Sequence, residues 1–257
     1  MFKSDVLPSK TDSIFGIRAF SGLRVSDFWF NFALPVFDCC TINSRVLVYI
    51  VIIVTAYLLG SIPTGYLVAR ARGIDIRTVG SGNIGAANVF RILGRPAGIF
   101  VLVADGLKGF AACSWLADFV VQPFAVAPDK IECLKIVAGI AAVLGHNFTC
   151  WLKFKGGKGI ATSAGVYFAL APLAAGIALG TWIVVFALSR YVSVASIAAA
   201  VALPTAVWLT KDSLFLGIVT TALGLLAIYK HKGNIQRLLN GTERRLGQKS
   251  ATPEAIK

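Results

Sequence analysis

Along this chain, charged residues fall into clusters separated by long stretches that hold none. Val46 to Ala69, Ile136 to Leu152, Gly159 to Ser189, Tyr191 to Thr210 and Ser213 to Tyr229 contain no Asp, Glu, Lys or Arg, and Gly98 to Ala117 is interrupted only by Asp105 and Lys108. A helix rises about 1.5 Å per residue, so roughly 20 apolar residues cross a hydrocarbon core of about 30 Å. Each stretch therefore spans or nearly spans a bilayer. In lipid only helices and closed barrels satisfy every backbone group, and these runs lack the apolar/polar alternation of barrel strands. The pattern predicts an all-α, polytopic membrane protein.

The run Gly159 to Ser189 would reach about 45 Å as one helix, too long for a single crossing. Ala171-Pro172 to Gly176 offers a break into two short legs, which brings the expected count to about seven crossings. Composition agrees with lipid as the main solvent: 56% of the 257 residues are hydrophobic, 14% are charged, and mean hydropathy is +0.75.

Charge sets the orientation. The net charge of +13 is concentrated in Arg70, Arg72, Arg77, Arg91 and Arg95; in Lys153, Lys155 and Lys158; and in Lys230, Lys232, Arg237, Arg244, Arg245 and Lys249. Basic short loops stay in the cytoplasm. Seven crossings with the N-terminus outside put all three clusters and the C-terminus on the cytoplasmic face; six do not. Residues 1–45 read as an extension without assigned role, either an interfacial helix or unstructured, and lack the cleavage site of a signal peptide. Residues 46–243 read as the integral membrane domain and 244–257 as a basic cytoplasmic tail. The five cysteines show no C-x-x-C spacing and suggest neither disulfide nor metal site.

The first candidate chemistry is Gly80-Ser-Gly-Asn-Ile-Gly85, a G-x-G-x-x-G match. A dinucleotide fingerprint needs a strand before it and a βαβ unit around it. Here it lies in a short basic loop between two membrane crossings, so that reading fails. Gly80, Gly82 and Gly85 instead suit a backbone nest that attracts anions, with Ser81 and Asn83 adding donors. Asn88, Arg91 and Arg95 follow at helical spacing and are expected on one face above the loop. The glycines serve a tight interhelical turn equally well.

A second cluster is GHNFTCWLKFKGGKGIATS, residues 145–163, in which Lys155 and Lys158 flank two glycines; it does not fit the Walker A spacing. The third is HKGNIQRLLNGTE, residues 231–243, with His231, Asn234 and Glu243. Three glycine-and-basic loops at one membrane face favour a phosphate-handling site. Asp105 and Lys108, three apart within an apolar span, are expected to pair and orient helices.

Together these segments, with DGLKG from Asp105, resemble the bacterial acyl-phosphate:glycerol-3-phosphate acyltransferase family over about Val46 to Glu243. Ile84 and Ala87 stand where many members have proline and threonine. The resemblance implies a seven-span enzyme, its active site at the cytoplasmic face, that moves an acyl chain from acyl phosphate to the 1-hydroxyl of glycerol 3-phosphate. It gives lysophosphatidate and phosphate, the first acylation of phospholipid synthesis. Implied partners are the two substrates, the lipid bilayer and the upstream enzyme that forms acyl phosphate; no cofactor, metal or nucleic acid is implied. Matched motifs carry over Ser81, His231 and Asn234 as catalytic residues. Phosphate and substrate binding falls to Gly80, Gly82, Asn83, Asn88, Arg91, Ser189, Arg190, Glu243 and one or both of Lys155 and Lys158. Because an acyl phosphate is already activated, the expected mechanism is substrate-assisted: a phosphate oxygen of the donor takes the hydroxyl proton. The rival reading is a transporter for a phosphorylated solute, which predicts a site near the bilayer midplane. The His-x4-Asp pair of the commoner acyltransferases is absent, since Trp151 and Gln236 stand five residues after the two histidines.

Overall fold

A computed structural model describes residue 44, residues 46–124 and residues 126–247. The expected N-terminal extension, with Cys39 and Cys40, and the end of the basic tail lie outside the described residues. Among those described, the chain is helical throughout and contains no strand.

The first apolar stretch forms α1 (46–61) and α2 (Thr64–Arg70), one crossing of 25 residues from Val46 to Arg70. Pro63 lacks an N–H and interrupts the ladder between them. The carbonyl of Ile62 at this interruption accepts from Lys108 Nζ at 3.0 Å. A short amphipathic helix, α3 (Ala86–Leu93), ends at Gly94, whose φ of 89° only glycine adopts readily. Then come α4 (Arg95–Ala111), a π-helical turn at Ala112–Leu116, and α5 (Ala117–Val121), together a 27-residue apolar segment.

After α6 (Pro128–Asn147), the long uncharged run breaks at Ala171 into α7 (Ile160–Leu170) and α8 (Pro172–Ser189). The proline one residue later explains the position of the break; Gly176 lies inside α8. At 11 residues α7 is only about 17 Å long, shorter than the hydrocarbon core. α9 (Val192–Thr210), α10 (Leu214–Lys230) and α11 (Lys232–Leu239) complete the described helices, α11 being bent by 51° from α10. Among the described residues, five segments are long and apolar enough to cross a membrane, Val46–Arg70, Arg95–Val121, Pro128–Leu152, Pro172–Ser189 and Val192–Thr210, and the bent pair α10–α11 makes a sixth if it is one span.

Close backbone approach holds α7 inside the bundle. A Cβ on Gly165 would fall 1.8 Å from the Gly106 carbonyl oxygen, and one on Gly109 would fall 2.1 Å from that of Thr162, so α4 and α7 meet backbone to backbone. Small residues at such crossings are how helices gain packing where lipid removes the hydrophobic drive between them. Large apolar side chains such as Phe100, Phe119, Leu188 and Leu209 point outward. That inversion suits lipid as solvent. Asp105 and Lys108 pair at 2.9 Å, both buried, as their spacing predicts.

Candidate functional site

The loop before α3 is built around one buried amide. Asn88 Oδ1 accepts from the Ser81 N–H at 2.9 Å, while Nδ2 donates to the carbonyls of Ile76 (3.2 Å) and Val79 (3.1 Å). Gly80 and Gly82 have φ of 63° and 68°, and a Cβ on Gly80 would lie 2.3 Å from Asn88 Oδ1. Asn88 shapes the loop, with its polar atoms occupied there. The anion nest is largely closed too, because the N–H groups of Ser81, Gly82 and Gly85 bond to Asn88 Oδ1, the Val79 carbonyl and Asn83 Oδ1. What the loop offers the interior are the side chains of Ser81 and Asn83, and Arg91 one turn after Asn88. Arg95 does not share that face: Gly94 ends α3, and Arg95 starts α4 in an exposed position.

The second loop folds back onto the end of α6. Gly157 N donates to the His146 carbonyl at 3.0 Å and Gly156 N to that of Asn147 at 3.2 Å. A Cβ on Gly157 would sit 2.1 Å from His146 Nε2, so only glycine lets the loop lie on that ring. The preceding turn places Lys153 and Phe154, at φ of 53° and 60°, in the left-handed region. Lys158 enters the interior and donates to Asn234 Oδ1. Lys155 is exposed and stands outside the cavity lining, to which Lys158 belongs.

The third element begins where α10 ends. His231 is buried, its Nδ1 2.8 Å from the Ala227 carbonyl. A carbonyl only accepts, so Nδ1 carries the proton and the neutral ring keeps an unprotonated Nε2. Asn234 Nδ2 donates to Glu243 Oε1 at 2.7 Å, Ser193 Oγ to the same oxygen at 2.9 Å, and Arg237 Nε to Oε2 at 2.7 Å. Glu243, expected among the phosphate-binding residues, accepts from these three donors and fixes them around its carboxylate. The amide of Asn234 is thereby set, nitrogen toward Glu243 and oxygen toward Lys158.

Burial dominates the protonation states. It pulls Lys158 down to about 8, with Glu243 opposing and Arg237 and Arg91 adding to the shift. It also lowers the Arg91 guanidinium, and it lowers His231 to about 4, helped by the Lys158 charge. For Glu243 burial acts upward, but the hydrogen bonds from Asn234, Arg237 and Ser193 outweigh it and hold the carboxyl below its usual range.

These groups line one cavity of about 290 Å³. Its polar end carries Ser81, Asn83, Arg91, Lys158, Ser193, His231 and Asn234; its other end runs between α7, α8, α9 and α10 past Tyr167, Ala178, Trp182, Leu203 and Leu223. The arrangement suits an amphiphile with an anionic head. Gly80 and Gly82 act through the backbone, and Ser189 and Arg190 stand outside the lining at the α8–α9 turn. Sequence reasoning missed Ser193 and Ser196, one turn apart on α9, and Arg237. It also left unassigned His146, which lines the cavity beside Asp105, its Nδ1 3.7 Å from Oδ1.

The model of a protein family described as glycerol-3-phosphate acyltransferase matches residues 50–241. A glycerol-3-phosphate acyltransferase of Geotalea daltonii is 46% identical over 194 residues, 76% of this chain and 95% of that protein. One from Endomicrobium trichonymphae is 46% identical over 201 residues, 78% and 96% of the two chains. Among solved structures, PlsY (YgiH), an integral membrane glycerol 3-phosphate acyltransferase crystallised in its glycerol 3-phosphate form, matches with a TM-score of 0.69 at 39% identity. That match covers 77% of this chain and 96% of that one. The lysophosphatidic acid form of the same protein matches with a TM-score of 0.67 at 38% identity.

Proposed function

The chain belongs to the glycerol-3-phosphate acyltransferase family, and we propose that it draws the acyl group from acyl phosphate. It is an integral, multi-pass membrane enzyme that acylates glycerol 3-phosphate, a step of phospholipid synthesis. The observation that carries the donor assignment is the cavity itself. Its polar end gathers two cations, Arg91 and Lys158, which suit the phosphates of donor and acceptor together.

An acyl phosphate is already activated, so positioning and charge stabilisation supply most of the acceleration. The 1-hydroxyl oxygen attacks the acyl carbonyl carbon, the carbon–oxygen bond to phosphate breaks, and the hydroxyl proton passes to a departing phosphate oxygen. Arg91 and Lys158 stabilise the phosphates, and Ser81 and Asn83 hold the reacting groups. His231, neutral with Nε2 as an acceptor, orients the hydroxyl together with Asn234. A histidine held near 4 is a weak base at neutral pH, which supports the donor phosphate as proton acceptor. The apolar end receives the acyl chain.

Seven crossings follow if α7 and α10 each count with the five longer segments. The N-terminus is then outside and the loops bearing Ser81, Lys158 and His231 face the cytoplasm of the inner membrane, where the enzyme forming acyl phosphate would supply the donor. Purified protein given glycerol 3-phosphate with palmitoyl phosphate, palmitoyl-CoA or palmitoyl carrier protein tests the donor: lysophosphatidate is expected with palmitoyl phosphate alone. Equal turnover with the thioesters would overturn the assignment.

A further inference from the structure

Beyond α11 the chain turns back across the molecule. The N–H groups of Thr242 and Glu243 both donate to the Arg237 carbonyl, at 2.8 and 3.1 Å, and reverse its direction. Glu243 is then buried against Ser193 and Asn234. Next, the Arg244 carbonyl accepts from Arg91 Nη2 at 3.3 Å, the Arg245 guanidinium lies 5.3 Å from the Tyr191 ring centroid, and Leu246 N donates to the Arg190 carbonyl at 3.1 Å. Residues 243–246 are thus fastened at four consecutive positions to α3, α9 and the α8–α9 turn. The family match ends at residue 241, so this strap lies just beyond it.

Arg91 is where the strap meets the cavity. It lines the wall, and its Nε is buried with no hydrogen-bond partner among the described residues. A guanidinium is a rigid plane with five N–H groups in fixed directions, so holding one amino group fixes where the others point. A buried, unpaired N–H on a cation is costly unless a ligand completes it.

We propose that residues 243–246 form a positioning strap, whose Arg244 carbonyl holds Arg91 by Nη2 so that its Nε–H edge is presented to a phosphate oxygen in the cavity. This rests on reading the cavity as a phosphate site. It also gives Arg190 a role that needs no contact with substrate: its carbonyl, at a left-handed residue with φ of 63°, anchors the strap's end.

The test is binding and turnover of glycerol 3-phosphate by the full chain carrying Leu246→Pro, which removes the N–H that bonds to Arg190. The dissociation constant by calorimetry and KM should both rise about tenfold, the scale of one lost hydrogen bond to a charged group, with kcat within twofold. In an Arg91→Lys background the same change should add less than twofold. A chain ending at Gly247 should match the wild type. If Leu246→Pro does not accumulate, Arg245→Ala, which loosens the Tyr191 contact, should move KM in the same direction and show the same loss of effect beside Arg91→Lys. Unchanged binding in Leu246→Pro, or an effect that persists in full beside Arg91→Lys, overturns the strap. Wild-type protein that fails to bind glycerol 3-phosphate would overturn the phosphate reading beneath it.

Discussion

Lys158 offers the sharpest quantitative handle, because burial sets its protonation near the working pH. Its Nζ reaches Asn234 Oδ1 inside the cavity, and its pKa falls to about 8. The sign follows directly: a lowered lysine is charged below that value and neutral above it. At pH 7 roughly nine-tenths of molecules carry the charge, one unit below the midpoint being a tenfold ratio. If the ammonium holds a substrate phosphate, kcat/KM for glycerol 3-phosphate should fall tenfold per pH unit above about 8. Lys158→Met removes a charge-assisted hydrogen bond of about 2–3 kcal/mol in a site screened from water, so kcat/KM at pH 7 should drop about 30- to 150-fold, with the alkaline limb gone. Lys158→Arg keeps the charge at every accessible pH. It should retain more activity than the methionine variant and also lose the limb. Lys155→Met, at an exposed position, should change kcat/KM by less than about twofold. The assay is initial-rate phosphate release from purified enzyme between pH 6 and 10. An unchanged alkaline limb in either Lys158 variant would refute the placement of this ammonium on the phosphate.

His231, held near 4, stays neutral from about pH 5 upward, so no limb of the pH–rate profile should disappear in His231→Asn; a limb near 6.5 that did vanish would make the imidazole the general base. Removing one member of the buried Asp105–Lys108 pair should cost about 3–5 kcal/mol, while the double change Asp105→Leu with Lys108→Met should cost less than Asp105→Leu alone. Thermal unfolding in detergent reads the order. Gly165→Ala should destabilise by about 1–3 kcal/mol or more, since its new methyl meets the Gly106 carbonyl. Gly176→Ala, with open space around it, should unfold at or above the wild-type temperature.

The membrane class, the break at Ala171-Pro172 and the three loops were legible because each depends on local sequence: uncharged length, a proline, glycines beside basic residues. What stayed hidden depends on partners distant in the chain. Spacing placed Asn88, Arg91 and Arg95 on one helical face, but Gly94 at φ 89° restarts the helix and sends Arg95 elsewhere. The glycine motif suggested free N–H groups, yet Asn88, seven residues from Ser81, fills one of them. Glu243 was placed among the phosphate-binding residues; its partner Ser193 lies 50 positions earlier, on another helix. That Lys158 enters the cavity while Lys155 stays exposed depends on the loop resting on the His146 ring.

The central claim is that one cationic cavity brings glycerol 3-phosphate to an acyl donor and joins the two. Proteoliposomes supplied with labelled glycerol 3-phosphate and palmitoyl phosphate test it most directly. The account predicts label in lysophosphatidate, one equivalent per phosphate released, with both strongly reduced in Lys158→Met. Unmodified glycerol 3-phosphate accumulating in the lumen, without acylated product, would contradict it and point to a transporter.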